Sequence, residues 1–184
     1  LVQRLVPWWG DAPGDNRKLP RYWSSPYLGG FPPGQLTDAD PDTFWHATVS
    51  EGWITIDLGA GDERAFPYLR ARPRPGQSQQ FWKEAQLEGS LDGVSFEKIA
   101  QVNQVSPPTA GGWLIWSLDN PYKYRFYRLV MKSSQARGVP LAFSDLELLT
   151  TLPLVQRLVP WWGDAPGDNR KVPRYWSSPY LEGF

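Results

Sequence analysis

The chain has no cysteine and a single histidine among its 184 residues. Without cysteine there are no disulfides and no thiolate metal sites, and the composition says nothing about the redox compartment. With His46 as the only imidazole, a histidine-rich metal centre is excluded. No nucleophile–base pair or paired catalytic carboxylates stand out, so the chain reads as non-enzymatic. Charge of one sign is also missing: 19 basic and 19 acidic residues cancel, and nothing favours a polyanionic partner such as nucleic acid. No apolar run approaches the roughly 18 residues needed to cross a bilayer. The start, Leu1-Val2-Gln3-Arg4, has neither an initiator Met nor a signal-peptide layout, so the sequence is expected to be a piece of a longer protein.

What is abundant is tryptophan, proline and glycine, at 11, 19 and 17 residues, a bias toward aromatic surfaces and turns rather than helices. Residues 53–58 (Trp-Ile-Thr-Ile-Asp-Leu) alternate, with Ile54, Ile56 and Leu58 facing one way and Thr55 and Asp57 the other, which predicts a half-buried strand. Further strands are predicted over 65–72, 82–90, 94–102, 112–118, 124–132 and 141–149, separated by Gly, Pro, Asp and Asn. Asp92-Gly93 marks a tight hairpin between two of them. Proline interrupts every candidate helix, so helix content should be small. About eight strands imply two packed antiparallel sheets, with 41% hydrophobic residues to fill one core.

Residues 1–31 recur as residues 154–184, with Leu19 replaced by Val172 and Gly29 by Glu182, so 29 of 31 positions agree. The spacing exceeds that of solenoid repeats, which run from about 20 to 50 residues, and has the size of a whole domain. A tandem array is therefore expected. On this reading residues 1–20 and 151–173 are two copies of a connector, 21–150 a sandwich, and 174–184 the opening strand of a next repeat. The connector is too apolar for a flexible linker: Leu154, Val155, Leu158, Trp161 and Trp162, with Trp8 and Trp9 in the first copy, should dock and fix the angle between units.

The motifs then carry a family resemblance. In order they are Ser24-Ser25-Pro26, Leu36 to His46 (LTDADPDTFWH), Trp53 to Gly59, Ser90 to Phe96, Tyr127 to Val130, and Phe143 to Leu148. Together they resemble the discoidin, or coagulation-factor type C (galactose-binding-like), family from end to end over roughly residues 21–150. The resemblance implies an all-β, eight-stranded antiparallel jelly-roll sandwich in a secreted or cell-surface protein.

Two sites follow from it. Asp38, Asp40 and Asp42 with Thr43 concentrate oxygen ligands suited to calcium, yet Thr43 and Val49 stand where an EF-hand needs Gly and Glu. The resemblance implies instead a structural Ca2+ held by Asp38, Asp40, Thr43 and Asp145, with Ala39 and Asp145 departing from the usual Gly and Glu. The same aspartates equally suit Asx turns without metal. Galactose-binding relatives contact sugar through a His after the loop Trp, an Arg after the third strand and an Asn beyond it. His46, Arg74 and Gln79 occupy these places, and Val49 stands where a Trp is frequent. The stacking ring would then be Trp113 or Phe143, or be absent. A lone His beside a Trp is more often a hydrogen-bonded structural residue than a ligand contact.

The cluster Arg70 to Arg74, broken by Pro73 and Pro75, reads as a charged loop, and Pro107 to Trp113 as a weak candidate for a membrane-inserting tip. The expected function is a structural and adhesive repeat of an extracellular filament or large surface protein, with neighbouring copies as partners. The alternative is a carbohydrate-binding module for galactose-type glycans.

Overall fold

The structure is a computed structural model that describes residues 21–38, 40 and 42–152, and the backbone of residues 159–161 and 174–176. The chain divides after Thr151 into two units. In the first, nine strands form: β1 (Arg21–Ser24), β2 (Trp45–His46), β3 (Gly52–Asp57), β4 (Tyr68–Pro73), β5 (Trp82–Ser90), β6 (Glu97–Gln101), β7 (Leu114–Ser117), β8 (Phe126–Ser134) and β9 (Ala142–Leu149). They build a five-stranded sheet in the order β1-β3-β8-β5-β6 and a four-stranded sheet in the order β2-β9-β4-β7, with every pairing antiparallel. This is the jelly-roll sandwich that the strand pattern implies. The only helical turns among the described residues are two 3₁₀ segments, Pro33–Thr37 and Ser78–Gln80. No helix among them is long and apolar enough to cross a membrane.

Alternation places the core. Ile54 and Ile56 of β3, Leu87 of β5, and Leu129 and Met131 of β8 meet Leu69 and Ala71 of β4 and Leu146 and Leu148 of β9 in one buried cluster. Aromatic rings close one end: Trp82 stacks on Phe81 at 3.9 Å and meets Phe143 edge-on at 5.0 Å, and Trp45 meets Phe143 at 5.5 Å. Backbone crossings are tight where glycine permits them. A Cβ at Gly89 would lie 2.3 Å from the Tyr124 ring. Gly89→Ala must therefore push that ring aside and disturb the Tyr124 hydroxyl, which donates to Glu97. A loss of about 1–3 kcal/mol in urea unfolding is expected from such overpacking.

Among the described residues the sandwich has nine strands where about eight were expected, the additional one being β2, two residues long and too short to show alternation. Two expectations need correction. The strand β3 is not half-buried: Thr55 and Asp57 on its second face are buried as well. Asp57 is held there by two hydrogen bonds from Arg125, at 2.6 and 2.9 Å, and by the Gly59 amide. Finally, Arg70 and Arg72 lie in β4 rather than in a loop, on the face opposite the core residues Leu69 and Ala71. The Asp92-Gly93 hairpin forms, but its loop is wider than a two-residue turn. Asp92 accepts bonds from the amides of Val94 and Ser95, which hold its carboxyl at about 2, while Gly93 takes a φ of 75°.

In the second unit, β10 (Val159–Trp161) pairs antiparallel with β11 (Arg174–Trp176), with Pro160 opposite Tyr175. The connector residues Leu154, Val155, Leu158, Trp162, Trp8 and Trp9 lie outside the described residues, and Trp161 is described by its backbone alone.

Candidate functional site

The loop between the first 3₁₀ turn and β2 is shaped by its own carboxylates. Asp38 Oδ1 accepts from the Asp40 amide and Asp40 Oδ1 from the Asp42 amide, both at 2.9 Å, two successive Asx turns. The Thr43 hydroxyl donates to Asp38 Oδ2 at 2.7 Å and closes the loop. Trp45 then enters the core fully buried, its Nε1 donating to Ser24 Oγ. With Trp45 pinned inward, alternation turns its neighbours Phe44 and His46 the other way, and both stay partly exposed.

Phe44 and His46 meet residues from two other segments. The Phe31 ring, from the loop after β1, stacks on Phe44 with centroids 4.5 Å apart. The guanidinium of Arg74 lies over Phe44 at 3.8 Å. Two groups this close cannot share one face, so Phe44 is sandwiched between Phe31 and Arg74. His46 stands 6.3 Å from both phenyl rings. Its Nδ1 is 2.7 Å from the Ala47 carbonyl. A carbonyl only accepts, so Nδ1 carries the proton and Nε2 of the neutral ring is an acceptor. Arg74 follows a bulge between Arg72 and Pro73 that breaks the β4–β9 register and re-aims the strand end. Its guanidinium donates a long hydrogen bond to Gln80 Oε1, at 3.5 Å. The cluster therefore joins an apolar aromatic surface, an acceptor and a fork of donors.

The F5/8 type C domain profile matches residues 22–143. The chain belongs to the F5/8 type C family. Similar solved structures include a family 32 carbohydrate-binding module of Clostridium perfringens in complex with GalNAc-β-1,3-galactose. Its TM-score is 0.60 at 19% identity, covering 71% of this chain and 94% of that one. The family 32 module of C. perfringens NanJ, in complex with galactose, gives 0.58 at 15% identity over 70% and 92%. A chitosan-binding module from a Paenibacillus sp. IK-5 chitosanase/glucanase gives 0.56 at 12% over 70% and 93%. At these identities the likeness is one of fold. No curated protein sequence matches the chain.

Of the residues expected to bind sugar, His46 and Arg74 are brought together by Phe44. Gln79 is exposed, bonds to Gln77 and lines a shallow cleft with Ser106, Pro107 and Gln135, while it is the next residue, Gln80, that reaches Arg74. Trp113 is covered by Arg70 at 4.1 Å and by Arg72 at 5.5 Å. Phe143 is fully buried and offers no stacking surface. Phe31 and Phe44 are the residues that the sequence reading missed.

Of the four calcium candidates, Asp38 and Thr43 are joined by a hydrogen bond. Asp145 is buried beside the Arg72 guanidinium at 2.6 Å, and Asp40 is exposed. Burial raises the Asp145 carboxyl, Arg72 opposes that, and the nearby negative charges of Glu147 and Asp38 add to the rise. The cation closest to Asp145 is thus Arg72. Among the described residues no three histidine or acidic side chains are grouped so that they could hold a metal ion together. Calorimetric melting of the chain with and without a chelator is expected to give the same midpoint, and a drop of several degrees on chelation would restore a metal to this loop.

Proposed function

We propose that this F5/8 type C domain is a non-catalytic carbohydrate-binding module of a secreted or surface protein, taking galactose-type sugars at the Phe31–Phe44–His46–Arg74 cluster. The observation that carries the reading is the convergence of these four side chains from three separate segments. A pyranose has one apolar C–H face and a rim of hydroxyls, each both donor and acceptor. The Phe31 ring suits the apolar face, His46 Nε2 suits a hydroxyl proton, and the Arg74 guanidinium suits hydroxyl oxygens. The ligands of two similar structures, galactose and GalNAc-β-1,3-galactose, support this class of sugar. Affinity at one shallow site is expected near the millimolar range, and repetition of the domain would raise it by avidity.

A glycan array probed with the labelled chain, followed by titration calorimetry of the best hits, tests the reading. Enrichment of galactose- or GalNAc-terminated glycans is expected, and a blank array at high protein density would remove it. The near-identical segments 1–31 and 154–184 favour a second, compatible role as a unit of a tandem array, in which neighbouring copies set the spacing of the binding sites.

A further inference from the structure

The strand β1 sits at the edge of its sheet and is bound to it by one ladder, to β3, with Arg21, Tyr22, Trp23 and Ser24 opposite Asp57, Ile56, Thr55 and Ile54. A few contacts fix it and the segment that follows. The Tyr22 hydroxyl meets Thr37 Oγ1 at 2.8 Å, Ser24 accepts from Trp45, the Ser25 amide donates to the Trp53 carbonyl, and the Leu28 amide donates to the His46 carbonyl. Phe31 completes the aromatic cluster. Every one of these residues recurs in the second copy as Tyr175, Ser177, Ser178, Leu181 and Phe184. Between 21–31 and 174–184 the one difference is Gly29 against Glu182, and a Cβ added at Gly29 meets nothing within 4 Å. Residues 174–184 thus carry the full complement of groups needed to occupy the place of 21–31, and the glutamate fits there.

The same tripeptide also shows two pairings in this one chain. Arg21-Tyr22-Trp23 pairs with β3, whereas Arg174-Tyr175-Trp176 pairs with β10 over three positions, one of them Pro160, which has no N–H to give. The β3 ladder runs over four pairs and continues into the bond from Ser25 to Trp53. The β10–β11 ladder is therefore the shorter of the two pairings.

We propose that the β1 position is an exchangeable acceptor, and that residues 174–184 of one chain replace residues 21–31 of a second copy of this chain. The exchange rebuilds at β3 the contacts that the displaced strand gives up and breaks only the short β10–β11 ladder, so swapping this element between identical chains costs little. Donor and acceptor are different surfaces, so the association is head-to-tail. It also carries Phe184 into the place of Phe31 and sets Glu182 beside the aromatic cluster. The proposal does not depend on what that cluster binds, since its test uses no sugar.

The test weakens the resident strand in the full chain. Tyr22→Asp places a carboxylate where the ring packs, with the second copy intact, and Tyr22→Asp/Tyr175→Asp disables both copies. In sedimentation velocity the single variant is expected to form concentration-dependent oligomers that the double variant does not. A fluorescein-labelled peptide of residues 174–184 is expected to bind the double variant saturably, at least tenfold more tightly than the same peptide carrying Tyr175→Asp. Should the aspartate variants fail to fold, Tyr22→Phe/Tyr175→Phe removes only the hydroxyl contacts, and the same pair of peptides is compared on it. A monomeric single variant that melts like the double, or equal binding of the two peptides, overturns the proposal.

Discussion

Arg72→Met is expected to destabilise the sandwich by about 3 kcal/mol, because it leaves the Asp145 carboxylate buried without its cation. The Asp145 side chain is 3% exposed and that of Arg72 19%, so the pair is screened little by water. Removing one partner of a buried pair typically costs about 3–5 kcal/mol, and the partial exposure of Arg72 places this case at the lower end. Most of that cost is the stranded charge rather than the lost attraction. Arg72→Met/Asp145→Leu should therefore recover much of the loss, since both charges leave together. The pH dependence has a definite sign. A native carboxyl raised above its unfolded value of about 3.9 favours folding below that value and loses the advantage as pH rises through its native one. Without Arg72 the native value climbs further, so the defect of the single variant should be largest near pH 7 and shrink as the pH is lowered. Asp57 behaves oppositely. Its burial pushes the carboxyl up, but hydrogen bonds from Arg125 and Gly59 and the charges of Arg125 and Arg21 outweigh that and hold it below the ordinary value. Its contribution is present above about pH 3.9 and is lost on further acidification. Urea unfolding at several pH values checks both signs. A single variant within about 0.5 kcal/mol of the parent, which is what exposed substitutions cost, would show that Arg72 does not neutralise Asp145.

How far the fold was legible depended on local signals. The strands β5, β8 and β9 are long, alternate or run apolar, and are bounded by turn residues, so they emerge from the sequence nearly at their true limits. The strand β2 did not emerge, because its two residues are defined by pairing with Ala142 and Phe143, about a hundred positions away. Thr55 and Asp57 looked solvent-facing because their types are polar, and the burial of Asp57 depends on the distant Arg125. The site divides in the same way. His46 and Arg74 were found through a family resemblance that fixes their places along the chain. Phe31 and Phe44 were not, since nothing local says that rings thirteen positions apart will stack. A usable signal did exist: Phe31 and Phe44 bracket the Asp-rich loop on both sides, one before Pro32-Pro33 and the other beside Trp45. Asp145 was assigned to a metal through the family resemblance, and the sequence offered no way to see that Arg72 lies directly across the strand pair.

Phe31→Ala is expected to reduce sugar binding at least tenfold while leaving the sandwich folded. Both faces of Phe44 are taken, one by Phe31 and the other by Arg74. On the proposed reading, the face of Phe31 turned away from Phe44 is the aromatic surface left for a sugar ring. A stacked aromatic contributes on the order of 0.5–1.5 kcal/mol beyond the area it covers, and with that area included the loss passes the 1.4 kcal/mol that equals one decade in affinity. Phe31 is half-buried and lies in a loop outside the main core cluster, so its removal should lower the melting temperature only modestly. Phe44→Ala is a different experiment, since it takes away the ring on which Arg74 and Phe31 both rest and should misplace the two together. Arg74→Lys sharpens the contrast: it keeps the positive charge but loses the planar fork that lies flat on Phe44 and presents several donors at once. Titration calorimetry with methyl β-galactoside is expected to rank the proteins parent, then Arg74→Lys, then Phe31→Ala, with Phe44→Ala weakest. If Phe31→Ala binds as the parent does, the sugar does not stack where these rings converge, and the Phe31–Phe44–His46–Arg74 cluster is an element of loop packing instead.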